Sequence, residues 1–174
     1  PLGSCTMKHN PRLNEKLARL PGFASIHPKQ PEETVQGALR LMYELQNWLA
    51  ELTGLPGVCL SPAAGAHGEL AGLMTIRRAH ELKGNTAKKV LRKKILVPDS
   101  AHGTNPATAA MCGFEVRSIS TAGSGRVSVE SFKEALGDGK DVAGMMVTNP
   151  HTCGLFETDI VAISKTLHDA GGYF

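Results

Sequence analysis

The chain has 174 residues, 41% of them hydrophobic and 20% charged, with a formal net charge of +3. That balance is too apolar and too weakly charged for a disordered chain, and the small basic surplus suits anionic ligands without implying nucleic acid. No apolar run approaches the roughly 18 residues of a membrane span, and no basic-then-apolar leader opens the chain, so a soluble, intracellular, one-domain protein is expected.

The four cysteines, Cys5, Cys59, Cys112 and Cys153, are never closer than 41 residues. The close pairs of zinc ribbons and thioredoxin-type sites are therefore missing, and a disulfide scaffold is not indicated. Glycine is abundant, at 19 residues, while aromatic residues make up only 5%. This favours tight turns around a small-ligand site over an aromatic stacking platform.

In chain order, residues 1–31 form an extended arm. Pro11, Pro21, Pro28 and Pro31 interrupt it, leaving room for at most a short helix near 15–20. A long helix is predicted over 32–53, because Val35, Ala38, Leu39, Met42, Leu45, Leu49 and Leu52 recur at steps of three and four and define one buried face. Pro31 sets its first turn, Gly54 suits its end, and Pro56 blocks continuation.

An alternation follows. A strand over 58–61 leads through Pro62-Ala63-Ala64-Gly65-Ala66 into a helix over about 66–83. A strand over 95–98 precedes a short helix with Asn105 as N-cap and Pro106 as its first residue. A strand over 114–119 places Phe114 and Val116 on one face and Glu115 and Arg117 on the other. Ser128 caps a helix carrying Val129, Phe132 and Leu136. A strand over 142–147 leads to a last helix, capped by Thr158 or Asp159, with Ile160, Ile163 and Leu167 inward. Gly171-Gly172 ends that helix, and Tyr173-Phe174 reads as a strand beginning. Strands alternating with helices predict an α/β fold with a mainly parallel sheet and flanking helices, continuing beyond residue 174. The basic run 88–94 lies at the far end of a strand from the expected site and reads as solvated surface.

Ligands of open parallel sheets bind at the carboxyl ends of the strands. Three such ends carry polar, glycine-containing loops: 61–69, 99–105 and 148–152. Three of the seven histidines, His67, His102 and His151, fall in them. Gly65-Ala66 at a helix start can cradle an anion, because small residues let it approach the backbone N–H groups and the helix dipole favours negative charge. The same residues also make a plain strand-to-helix turn. His102 is open to roles as metal ligand, base, ring-stacking residue or loop cap, and Asn149 to a role in turning the chain before Pro150. His67-Gly68-Glu69 matches half of a zinc-deaminase signature, but its cysteine partner motif is missing.

Five stretches carry a resemblance: PLGSCTMK (1–8), PGFASIHPKQPEETVQ (21–36), PAAGAHGE (62–69), PDSAHGTNPAT (98–108) and TNPHTCGLFE (148–157). On these the chain resembles the pyridoxal-phosphate-dependent glycine decarboxylases, the P proteins of the glycine cleavage system, in their C-terminal half or subunit 2. PLGS continues into the family motif and is read as native. The resemblance implies an incomplete large domain of the aspartate-aminotransferase-like, fold type I class, with 1–31 as an arm and 32–174 as the partial cofactor domain.

It also implies roles. Gly65 and Ala66 hold the phosphate of pyridoxal 5'-phosphate, with His67 nearby. His102 stacks on the pyridine ring as the catalytic histidine, and Asn149 bonds the ring hydroxyl. Thr104 and Ser4-Cys5-Thr6 line the substrate pocket, and the role of His151 stays open. The family's Schiff-base lysine and ring-nitrogen aspartate are expected downstream of Phe174, so that neither Lys8 nor Lys165 is that lysine.

The implied reaction releases CO2 from glycine and passes the aminomethyl group to the lipoyl arm of the H protein. Its expected partners are another P-protein subunit or half, in a dimer or larger assembly, with no nucleic acid or membrane. Its expected place is the cytoplasm in bacteria or the mitochondrial matrix in eukaryotes, and the 174 residues alone are expected to be inactive. A non-catalytic structural or regulatory paralogue and another fold type I enzyme are the alternatives. A downstream lysine separates the first, and substrate screening the second.

Overall fold

The computed structural model describes residues 9, 11–83, 92–121, 123–151 and 154–174. The chain divides into two compact units, Pro1–Ser61 and Pro62–Phe174.

The first unit is helical. Short helices α1 (Arg12–Ala18) and α2 (Pro21–Ala24) precede a 3-10 turn at Glu32–Thr34 and the long helix α3 (Gln36–Thr53). The arm therefore holds more helix than its prolines suggested. Pro21 opens α2 from its first turn, where no N–H is needed. The long helix starts at Gln36, after the separate 3-10 turn, and ends as expected at Gly54, whose φ of 68° is left-handed. The apolar stripe of α3 is not buried, contrary to expectation: Met42 is 51% and Leu52 82% exposed. Periodicity reports that a helix has an apolar face, not what covers it.

The second unit carries the sheet. Helix α4 (Gly65–Lys83) is followed by β1 (Lys94–Pro98), α5 (Thr104–Met111), β2 (Glu115–Ile119), α6 (Val129–Leu136), β3 (Val142–Met145) and α7 (Ile160–Asp169). The three strands are parallel, in the order β2-β1-β3, with Ile95 beside Val116 and Gly144. No strand forms over 58–61, which has no ladder partner among the described residues. The expected strand at Tyr173 is present as a parallel bridge to Gly144. The Tyr173 N–H donates to the Ala143 carbonyl, and the Met145 N–H donates to the Tyr173 carbonyl. Gly144 permits this approach, since a Cβ there would lie 2.6 Å from the Tyr173 carbonyl oxygen.

Alternating side chains split the core into two layers. Leu96, Ile119, Phe132, Leu136, Val142, Ile163 and Leu167 pack on the α6–α7 side. Leu73, Ile95, Val97, Ala109, Phe114 and Ala143 pack on the α4–α5 side. A sheet covered on both faces needs near-continuous apolar strands, which explains why β1 and β3 read as short hydrophobic runs. Val116 is 40% exposed and does not share the burial of Phe114, because β2 lies at an edge of the described sheet. Ser128 caps α6 as expected, accepting from the Ser131 N–H at 3.0 Å. Asp159 precedes α7 without capping it by its side chain.

The start of α5 differs from expectation. Its N-cap is Gly103, and Asn105 is buried within the first turn. The backbone turns into the helix earlier than expected, the Asn105 N–H donating to the His102 carbonyl and the Ala107 N–H to that of Gly103. At the amino end of β1, two members of the basic run are not solvated surface. Arg92 donates to three backbone carbonyls, and Lys94 pairs with Asp141. Residues 84–91 lie outside the described residues. Among the described residues no helix is long and apolar enough to cross a membrane.

Candidate ligand site at the strand ends

The second unit gathers its chemistry at the carboxyl ends of β1 and β3 and the start of α4. A cavity of about 290 Å³ opens there, lined by Gly68 and Glu69 of α4, Asn105 of α5, Met146 and Thr148 beyond β3, and Phe174. Four segments far apart in sequence thus border one space.

Helix α4 begins with an unfilled set of donors. The N–H groups of His67 and Gly68 both reach the Ala64 carbonyl, at 3.0 and 3.1 Å. Those of Gly65 and Ala66 precede any possible helical partner and make no hydrogen bond among the described residues. Gly65 is exposed, and a Cβ built on it would meet nothing within 4 Å. Two adjacent free N–H groups at the positive end of a 19-residue helix, without side chains in the way, fit a phosphate. His67 is exposed in the same turn.

His102 follows β1 and is exposed. Its Nδ1 lies 3.2 Å from the Thr104 N–H donor and 2.9 Å from Thr104 Oγ1. Both contacts reach the same ring nitrogen, so the ring orientation is fixed while its faces stay open. The Thr104 hydroxyl also donates to Glu69 Oε1 at 3.2 Å, joining the loop after β1 to α4.

Asn149 is exposed beyond β3 and accepts from the Glu157 N–H through Oδ1 at 3.0 Å. That assigns the amide orientation and leaves Nδ2 as the outward donor. Glu157 is itself 4% exposed, and its Oε2 accepts from the Val127 N–H at 3.0 Å. Arg126 Nε adds a bond to the Phe156 carbonyl. His151 is buried in this loop, its N–H donating to the Leu155 carbonyl.

The structure therefore brings Gly65, Ala66, His67, His102 and Thr104 to one end of the second unit, with Asn149 on the loop beyond β3. Ser4, Cys5 and Thr6 lie outside the described residues, as do Lys8 and Cys153. Lys165 is exposed on α7. Cys112 is a core residue whose thiol is pushed up by burial, and Cys59 is a free exposed thiol. No group of three metal-ligating side chains occurs among the described residues. Sequence reasoning assigned no role to Glu69 or Glu157. Each stands in a recognised motif, and the only signal was an acidic residue beside apolar ones, which does not reveal its partner.

No family model matches the chain. Curated proteins match it from end to end, two of them as follows. A protein of Caulobacter vibrioides named "Probable glycine dehydrogenase (decarboxylating) subunit 2" is 61% identical over 174 residues, all of this chain and 32% of that protein. Its namesake from Alkaliphilus oremlandii is 59% identical over 172 residues, 99% of this chain and 34% of that protein. Among solved structures, an inhibitor-bound glycine decarboxylase (P-protein) of the glycine cleavage system superposes with a TM-score of 0.75, over 94% of this chain and 34% of that one, at 24% identity. The superposition establishes the fold type I architecture expected from the motifs. The chain spans about a third of the length of these relatives. The resemblance first carried by five short stretches thus runs the whole length of the chain, which is similar throughout to the second subunit of the decarboxylating glycine dehydrogenases.

Proposed function

We propose that this chain supplies the cofactor-binding strand ends of a glycine decarboxylase. The observation that carries the reading is the pair of free N–H groups at Gly65 and Ala66, opening α4 within a unit that also presents His102 and Asn149. The 61% identity over all of this chain to a protein named a probable glycine dehydrogenase subunit supports the same reaction.

In this reading Gly65 and Ala66 bind the phosphate of pyridoxal 5'-phosphate, with His67 beside it. His102, held through Nδ1, lays a ring face on the pyridine. Asn149 donates from Nδ2 to the ring hydroxyl oxygen, a role its occupied Oδ1 leaves to that atom. When bound, the cofactor supplies the electron sink for the pair released as CO2 leaves glycine. Thr104 and Ser4-Cys5-Thr6 bound a small pocket that favours glycine over larger amino acids. The aminomethyl acceptor is the lipoyl arm of an H protein. Assembly with a further P-protein subunit and a place in the bacterial cytoplasm belong to the same proposal.

A chimera tests it. Residues 1–174 replace the matching third of the Caulobacter relative, and glycine–CO2 exchange is followed with H protein present. Exchange is expected, and His102→Ala is expected to weaken cofactor binding at least about tenfold, the equivalent of 1.4 kcal/mol. A chimera that binds pyridoxal phosphate yet acts only on other amino acids would move the chain to another enzyme of the same fold. One that binds no cofactor would end the proposal.

A further inference from the structure

The contacts around Thr104 hold more than a fixed ring. Its backbone N–H and its Oγ1 both face His102 Nδ1, at 3.2 and 2.9 Å. A backbone N–H can only donate, so it favours the neutral tautomer in which Nδ1 keeps its lone pair and Nε2 carries the proton. The same Oγ1 lies 3.2 Å from Glu69 Oε1. A carboxylate oxygen only accepts. One hydroxyl hydrogen therefore faces two acceptors, the ring nitrogen and the carboxylate. Whichever acceptor loses it confronts an oxygen lone pair.

Glu69 itself is unusual. Its Oε2 is buried and has no hydrogen bond among the described residues, and its side chain borders the cavity. A buried carboxylate oxygen without a partner costs stability, so packing alone does not account for an acid here. Two acceptors set against one hydrogen give it a different task.

We infer that Glu69 is a positioning residue that acts through the Thr104 hydroxyl to set which nitrogen of His102 carries the proton. Held by Glu69, the Thr104 hydrogen is withdrawn from Nδ1, which keeps only the backbone donor. In Glu69→Gln the new amide donates to Oγ1, and the hydroxyl hydrogen turns to Nδ1. The ring is then locked more firmly in the Nε2–H form. The inference rests on the cofactor reading for its purpose, since it sets what the edge of the stacked ring offers. It does not need the cofactor for its test.

The experiment uses the whole chain with 15N-labelled histidine and two-bond proton–nitrogen spectra of the His102 ring. Glu69→Gln is expected to raise the share of the Nε2–H form. Thr104→Ser, which keeps a hydroxyl, is expected to preserve that response. Thr104→Val is expected to abolish it, so that adding Glu69→Gln changes nothing further. Thr104→Ala is the second hydroxyl-free variant should the valine chain fail to fold. An unchanged ring spectrum in Glu69→Gln, or an equal change in the absence of the hydroxyl, overturns the inference. Adding pyridoxal phosphate to the same samples keeps the two ideas apart. Coupling without cofactor binding sinks the proposed function alone, and binding without coupling sinks the relay alone.

Discussion

Single residues in this chain are defined by distant partners more than by their neighbours in sequence. Arg92 sits in a basic run that reads as surface, yet its guanidinium donates to the carbonyls of Gly139, Val142 and Ala170, each at 2.7 Å. These carbonyls belong to the entry of β3 and the exit of α7, so one side chain ties both to the strand it precedes. Charged donors to backbone carbonyls are among the stronger hydrogen bonds. Arg92→Ala should therefore lower stability by about 2–4 kcal/mol, since it strands three acceptors at once. Arg92→Lys should recover only part, because an ammonium cannot reproduce the planar fork. Urea unfolding measures both. A loss in the alanine variant below about 0.5 kcal/mol, the usual size for a surface substitution, would return Arg92 to the solvated run. Nothing local marks it, because Lys93 beside it is exposed and carries the same charge.

At the scale of elements, α4 and β3 share one carbonyl. The Ala143 oxygen accepts from the Tyr173 N–H at 3.0 Å and faces His80 Nε2 of α4 at 2.9 Å. His80 is buried, its ring set edge-on to Tyr173, with Lys83 over the tyrosine face. Burial lowers the His80 pKa, the carbonyl bond opposes this, and Arg92 and Lys83 add to the lowering. The sign follows from linkage. Over the interval between its lowered native value and the ordinary 6.5, the unfolded chain binds more protons than the native one. The contribution of neutral His80 is therefore intact above about pH 6.5 and is lost as the pH falls below it. Unfolding midpoints should drop as the pH falls below about 6.5, and His80→Gln, whose amide can still donate to Ala143, should flatten that slope. A slope unchanged in the variant would assign the loss to other groups. Asp141, held low first by its bond to Lys94, acts in the same direction but only in the more acid carboxylate range.

For the molecule as a whole, the sequence carried the α/β class, β1 and α6, because apolar runs and caps are local signals. It also located the strand-end loops, since glycine, histidine and asparagine cluster there. It overstated the strand at 58–61, where apolar residues occur without a ladder partner, and it missed the relay from Glu69 to Thr104, where contact spans 35 residues. It read α3 as buried, although every described residue between 11 and 61 is at least partly exposed. Among the described residues, all the buried apolar ones, from Leu73 to Leu167, belong to the second unit. That distribution predicts a graded hydrogen-exchange map. Local opening free energy follows buried apolar contact, so the amides of β1 and β3 should exchange only through global unfolding. Those of α3, despite its 18-residue length, should exchange through local opening, since most helical stability comes from a packed apolar face and this helix buries none. Native-state exchange in increasing denaturant separates the two cases, because globally protected amides share the denaturant dependence of unfolding and locally protected ones do not. If the α3 amides merged with those of β1 at the global limit, α3 would not be opening locally and its exposed apolar stripe would not set its protection.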